Sequence, residues 1–369
     1  MKKPTDRLLS AAIIIILVFL IFTAFMLTTS ANEKNIALSA RSASLYEPTT
    51  KTFLFAKNAD ERLPMASTTK IMTALVALEN TRLDEQIYIP SEACGVEGSS
   101  LYLTPGEILT AKDLLYGLML RSANDAAVAI ACHVAGNIES FSSLMNEKAA
   151  NLGLKNTNFE NPHGLDSQNH YTTARELAII SAEALKSDTF REIVSTKSAI
   201  ITNTEGFSRT IVNHNKLLRL YDGAIGVKTG YTKKSGRSLV GAAQRDEITL
   251  VSVTLDAPDD WNDHAKLLDR GFSSLSAFSL SEGERSYSLP IISGTRDRLS
   301  VYNSEGFKTV YETSSEAPQI RVELPRYVAA PIKKGQKIGK LSVIKDGAVI
   351  FETDMIAAED INFNKKRTT

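Results

Sequence analysis

Only two cysteines, Cys94 and Cys132, and one tryptophan, Trp261, occur in these 369 residues. Two thiols cannot build the disulfide framework of a small secreted scaffold. Cys132 closes the run Ala126–Cys132, where a thiol packs as a small hydrophobe, and that reading is preferred to a Cys94–Cys132 bond. The histidines at 133, 163, 170, 214 and 264 show neither His-x-x-x-His nor Cys/His ligand spacing, so no metal site is expected. An excess of either charge is also missing. With 42 basic and 42 acidic side chains and no basic stripe, nothing argues for a nucleic-acid partner. Internal repeats and low-complexity stretches are absent as well, which excludes solenoid and fibrous classes.

What is present begins with a segment set apart. Lys2, Lys3 and Arg7 precede an apolar run from Ala11 to Leu27 that only Thr23 interrupts. This is an export signal, and it places the rest of the chain outside the cytoplasmic membrane. Thr29-Ser30-Ala31 offers a cleavage site, but the run is longer than a usual cleavable core and comes close to spanning a bilayer. A retained membrane anchor over 1–31 is therefore favoured slightly over a signal peptide.

Strand patterns at 36–46 and 52–55 precede helical periodicity at 70–79, 111–121, 124–135, 140–152, 173–186 and 261–272. Strand-like runs return at 223–229, 238–244 and 248–255. Strands, then helices, then strands again predict an α+β fold: an antiparallel sheet flanked by helices, with a helical subdomain. After about Glu282 the chain alternates short β-rich runs with turns, as at 309–311, 319–323, 340–345 and 349–353, and predicts a small all-β domain. The expected domains are 32–282, 283–363 and a basic tail over 364–369.

Three strings carry the chemistry. In Ser67-Thr68-Thr69-Lys70 the serine and lysine are three apart, so a helical turn brings them together. An alcohol is a poor nucleophile and needs a base; lysine can serve if burial or a neighbouring cation, such as Lys228, keeps its amine neutral. In Ser122-Ala123-Asn124 a hydroxyl can pass a proton and an amide can hold a peptide backbone. By itself this string reads first as the N-cap of an Ala-rich helix, and both roles are compatible. In Lys228-Thr229-Gly230 a cation and a hydroxyl can bind a carboxylate, while glycine lets a peptide approach a strand edge. In this order the three supply a nucleophile, a proton shuttle and an anion clamp without histidine or metal.

The chain resembles the serine-type D-alanyl-D-alanine carboxypeptidases, the low-molecular-mass penicillin-binding proteins. The likeness extends to the strings at 58–67, 114–116, 122–127, 161–166 and 226–232, and in the tail to Ala330–Gln336. It implies a β-lactamase/transpeptidase-like fold and removal of the terminal D-alanine from peptidoglycan stem pentapeptides through a Ser67 acyl-enzyme. It further implies Lys70 as base, Ser122 as proton relay, Asn124 as substrate holder, Lys228, Thr229 and Gly230 as the carboxylate site, and the Ser67 and Tyr231 amides as oxyanion hole. β-Lactams would acylate Ser67, and no cofactor is required. The likeness departs mildly at Lys233–Ser238, where Ser235 and Ser238 stand at positions often held by alanine and another small residue. It departs again at the end, where Ile361 is followed by too few residues for the family's amphipathic membrane helix. The N-terminal run is then the expected link to the membrane.

His163, between Pro162 and Gly164, reads as a turn residue and not a base, and Trp261 reads as packing. Glu147–Asn151 shares its spacing with the deacylating region of class A β-lactamases but lacks the leucine before Asn151, and reads as a helix end. The alternatives are a class A-like β-lactamase and a catalytically silent cell-wall-binding protein.

Overall fold

A computed structural model describes residues 36–364; the expected signal or anchor segment and all but Asn364 of the basic tail lie outside them. Among the described residues no helix is long and apolar enough to cross a membrane.

The first half is built on a five-stranded sheet. Its strands are β1 (Ser42–Glu47), β2 (Thr52–Lys57), β7 (Ala224–Thr232), β8 (Gly236–Arg245) and β9 (Ile248–Leu255), in the order β2-β1-β9-β8-β7. All pairings in it are antiparallel. Two small ribbons lie outside it, β3 (Gln86–Tyr88) with β4 (Ile108–Thr110), and β5 (Ser198–Thr202) with β6 (Ser208–Val212).

Between β2 and β7 the chain forms α1 (Lys70–Asn80), α2 (Ala111–Tyr116), α3 (Asn124–Ala135), α4 (Ile138–Asn151), α5 (Ala174–Ala184), α6 (Asp188–Ser195) and the single turn α7 (Leu217–Leu220); α8 (Asp260–Ser274) follows β9. Helices α1 and α3 are buried on nearly every side, so apolar residues surround them instead of forming a stripe. The sheet is covered on both faces. Ser44 donates its hydroxyl to Ala174 O at the start of α5, whereas its neighbour Leu45 faces Gly271 of α8, and adjacent strand residues point to opposite faces.

The last part of the chain is all-β. Strands β10 (Leu275–Leu280) and β13 (Phe307–Glu312) form a ribbon. The strands β11 (Ser286–Ile292), β12 (Arg298–Asn303), β14 (Gln319–Glu323), β15 (Val328–Ala329), β16 (Lys337–Lys345) and β17 (Ala348–Ala357) form a sheet ordered β14-β16-β17-β12-β11-β15. Its own core gathers Leu289, Leu299, Val301, Leu341, Val343 and Met355. The α+β expectation and the trailing β domain hold. The first strand begins at Ser42, not 36, and α6, capped by Ser187, had no counterpart in the predicted elements.

Candidate active site

Ser67 sits in a 3₁₀ turn, Ala66–Thr69, that runs directly into α1. The tight turn places Ser67 and Lys70 nearly one above the other. Lys70 Nζ lies 3.1 Å from Ser67 Oγ, 2.7 Å from Asn124 Oδ1 and 2.5 Å from the carbonyl oxygen of His163. Lys70 has no solvent exposure, while Ser67 is half-buried and faces a cleft of about 640 Å³. Burial first, then the charge of Lys228, pushes the Lys70 amine well below the usual lysine range, with Asp125 opposing. Burial also lowers Lys228 to about 7.

The His163 carbonyl is delivered by a built loop. Gly164 N donates to Asn161 Oδ1, Asn161 Nδ2 donates to Leu165 O, and Thr73 Oγ1 donates to Pro162 O. Gly164 takes a φ of +87° with its Cα so close to Ala66 that a Cβ would stand 2.0 Å from the Ala66 oxygen. The family likeness covered this stretch, but side-chain reasoning assigned it no part, because the contributing atom belongs to the backbone. The His163 ring accepts from the Leu165 amide and, as expected of a turn residue, does not touch Ser67. Behind the lysine, His170 Nδ1 accepts from the Glu160 amide, so Nε2 carries the proton that meets Thr69 Oγ1 at 2.7 Å.

Ser122 ends a π-helical turn, Gly117–Arg121, with a φ of +64°, and lines the cleft. The cap reading of this string is corrected: Ala123 is the N-cap of α3 and makes no side-chain cap bond. The side chain of Asn124 instead accepts from Lys70 at Oδ1 and donates one Nδ2 hydrogen to Glu97 O, keeping the other. Buried Asp125 accepts from Ser100 Oγ and from the amides of Leu101 and Leu103, tying down the loop that brings Ser99 to the cleft.

Strand β7 is an edge of the sheet, and its Thr229, Gly230 and Tyr231 line the cleft together with Ser122 and Ser99. A Cβ on Gly230 would come within 3.0 Å of the Ser67 amide nitrogen, so glycine permits the strand to abut the serine turn. Lys228 is buried behind it and donates to Thr229 O at 2.9 Å. The hairpin after β7 is held by Ser235, which is buried, accepts from the Thr232 amide and donates to Gly236 O; the departure from alanine here adds a turn bond. All three strings therefore meet in one cleft. Trp261, read from sequence as packing, also lines it, with His214, Lys216, Arg219 and Arg237. Glu147 is exposed on α4 and Asn151 lines a different cavity, so neither reaches Ser67.

Residues 27–259 match the D-alanyl-D-alanine carboxypeptidase family of peptidase S11, and residues 279–362 match the C-terminal domain of penicillin-binding protein 5. The chain belongs to this family of low-molecular-mass penicillin-binding D-alanyl-D-alanine carboxypeptidases. It is 33% identical over 367 residues to the carboxypeptidase DacF of Bacillus subtilis, covering 96% of this chain and 94% of that one. It is 39% identical over 245 residues to the carboxypeptidase of Streptomyces sp. K15, covering 61% and 84%. Penicillin-binding protein 5 from Haemophilus influenzae superposes with a TM-score of 0.65 at 28% identity, covering 89% of this chain and 99% of that one. The enzyme is thus a serine-type D-alanyl-D-alanine carboxypeptidase that binds β-lactams and acts on peptidoglycan outside the cytoplasm.

Proposed function

We propose that Ser67 and Lys70 carry out the reaction as nucleophile and base, and the environment of Lys70 Nζ is the observation that carries this. A neutral amine has two hydrogens and one lone pair. Asn124 Oδ1 and His163 O accept the two hydrogens, leaving the lone pair toward Ser67 Oγ at 3.1 Å. The serine proton passes to Lys70 as the oxygen bonds to the carbonyl carbon between the two terminal D-alanines. Negative charge then builds on the carbonyl oxygen between the amides of Ser67 and Tyr231, at the positive end of the turn that opens α1. The proton travels from Lys70 through Ser122 to the leaving nitrogen, the C–N bond breaks and D-alanine departs. Water repeats the sequence in reverse to free the shortened stem.

Asn124 and Gly230 position the peptide along the β7 edge, as in strand addition, and Thr229 with Lys228 receives the terminal carboxylate. A β-lactam follows the same first step and then persists, because no carboxylate from the α4 end reaches the cleft to hasten deacylation. That favours the carboxypeptidase over the lactamase reading, and the complete set of groups disfavours a silent wall-binding protein.

Intact mass after penicillin treatment tests the assignment. One adduct on wild-type protein, lost in Ser67→Ala, is expected; an adduct that survives this substitution overturns it. Turnover within seconds would restore the lactamase. We also propose that the apolar run over 11–27 tethers the exported enzyme to the membrane, which its length supports. Expression of the full chain followed by fractionation checks this: protein shortened by 31 residues in the soluble fraction would refute it.

A further inference from the structure

Arg237, on β8, lines the same cleft as Ser67 and Thr229 and is held there by a buried acid. Its Nη2 lies 2.8 and 3.0 Å from the two carboxylate oxygens of Asp260, which is only 2% exposed. Asp260 Oδ1 in turn accepts from the Trp261 amide, and the guanidinium lies 5.8 Å from the Trp261 ring centre. This engages one terminal nitrogen and leaves Nη1 and Nε for a ligand.

The strand register puts this group beside the proposed carboxylate site. Arg237 pairs with Tyr231, and Thr229 lies two residues back on the same face of β7, which makes Thr229 and Arg237 diagonal neighbours. Lys228, the cation of the motif, is fully buried and spends a hydrogen bond on Thr229 O. Burial lowers its ammonium to about 7, so near neutral pH it balances the carboxylate only in part and leaves room for a second cation. A guanidinium stays charged at every working pH, and its flat fork matches a carboxylate. Bracing by Asp260 and Trp261 also reduces the side-chain freedom lost on binding.

We propose that Arg237, positioned by Asp260, binds the free C-terminal carboxylate of the stem peptide and so selects a free acid over the corresponding amide. This rests on the carboxypeptidase reading above. Lys216 and Arg219 line the same cleft and are the competing sources of positive charge.

The experiment compares kcat/KM for a diacylated peptide ending in D-alanyl-D-alanine with that for the same peptide ending in D-alanyl-D-alaninamide, reading the released D-alanine or its amide by mass spectrometry. Wild-type enzyme is expected to prefer the acid. Arg237→Gln should lower kcat/KM for the acid by roughly 10- to 100-fold, the worth of a charged hydrogen bond, while the amide rate holds. Arg237→Lys should recover part of the loss. Should the single change unfold the protein by stranding Asp260, the paired change R237Q/D260N removes both charges and should show the same collapse of the ratio. Equal losses on both substrates would overturn the proposal in favour of a structural role. An unchanged ratio would assign selection to Lys216, Arg219 or Lys228. Wild-type release without preference sinks this inference alone, whereas no release together with no penicillin adduct sinks the peptidase reading itself.

Discussion

Lys70, Glu107, Asp125, Glu176, Lys228, Asp260 and Asp263 are all buried in the first half of the molecule, whereas the buried polar side chains of the β domain are Asn303, Ser342 and Thr353, none of them charged. Three of the buried acids share one task. Asp125 binds the amides of Leu101 and Leu103, Glu176 those of Lys155 and Asn156, and Asp263 those of Ser39 and Ala40. Each carboxylate fastens a connecting segment through backbone donors, so these segments hold shape without strand pairing. In the β domain the ladders do this work and ordinary apolar packing suffices. Burying charge is costly, and the half that bears the cost is the half that needs a neutral lysine.

Lys70→Met tests that contrast most severely. Penicillin acylation should fall by at least about 10³-fold while thermal unfolding stays cooperative, since a buried amine is exchanged for an apolar chain of similar size. Unchanged acylation would remove Lys70 as base. The opposite outcome is expected from Leu341→Ala in the β-domain core: a loss of about 2–5 kcal/mol in the stability of that domain, with Ser67 acylation intact at low temperature. Concomitant loss of acylation would show that the β domain helps to build the site.

Two glycines sharpen the same comparison at smaller cost. Both Gly164 and Gly335 have positive φ, but a Cβ meets Ala66 O at 2.0 Å in the first and nothing within 4 Å in the second. Gly335→Ala should cost only the backbone penalty, about 1–2 kcal/mol. Gly164→Ala should cost more and slow acylation by displacing the His163 carbonyl; equal melting-temperature shifts would contradict this.

The last effect concerns acid. All five histidines precede residue 265, and His264 is buried between Ser252 and Thr254 with burial lowering it to about 3. Unfolded histidine takes up a proton below about 6.5 and the folded one does not until about 3, so this contribution is whole above 6.5 and erodes as pH falls between the two values. Replacing His264 with Gln should flatten the pH dependence of catalytic-domain stability by up to about 1.4 kcal/mol per pH unit in that window. Urea titrations at pH 7 and 4.5 measure it; an unaltered slope refutes it.

The three strings and the strands at 248–255 and 319–323 were readable because spacing and period are properties of the chain itself. Much of the remaining site was not. The His163 oxygen is a backbone atom, and no side-chain motif announces a carbonyl. Ser122 looked like a cap because its composition suits one; the π-helical turn before it moved the cap to Ala123 and released the hydroxyl. Trp261 and Arg237 enter the cleft only because β8 pairs with β7 and α8 starts beside that hairpin, a long-range arrangement with no local signature. Helix α6 escaped notice because eight residues give barely two turns of periodicity.

An open sheet edge is a hazard, since its unpaired amides and carbonyls will accept a strand from any neighbouring molecule. β7 is such an edge, yet the serine turn crosses it at Gly230, with so little clearance that even a methyl group would press on the Ser67 amide. A strand from a second copy cannot run past that point. The contact that aligns a peptide with the nucleophile thereby also protects the enzyme from edge-to-edge aggregation, and a side chain at 230 would endanger solubility along with catalysis.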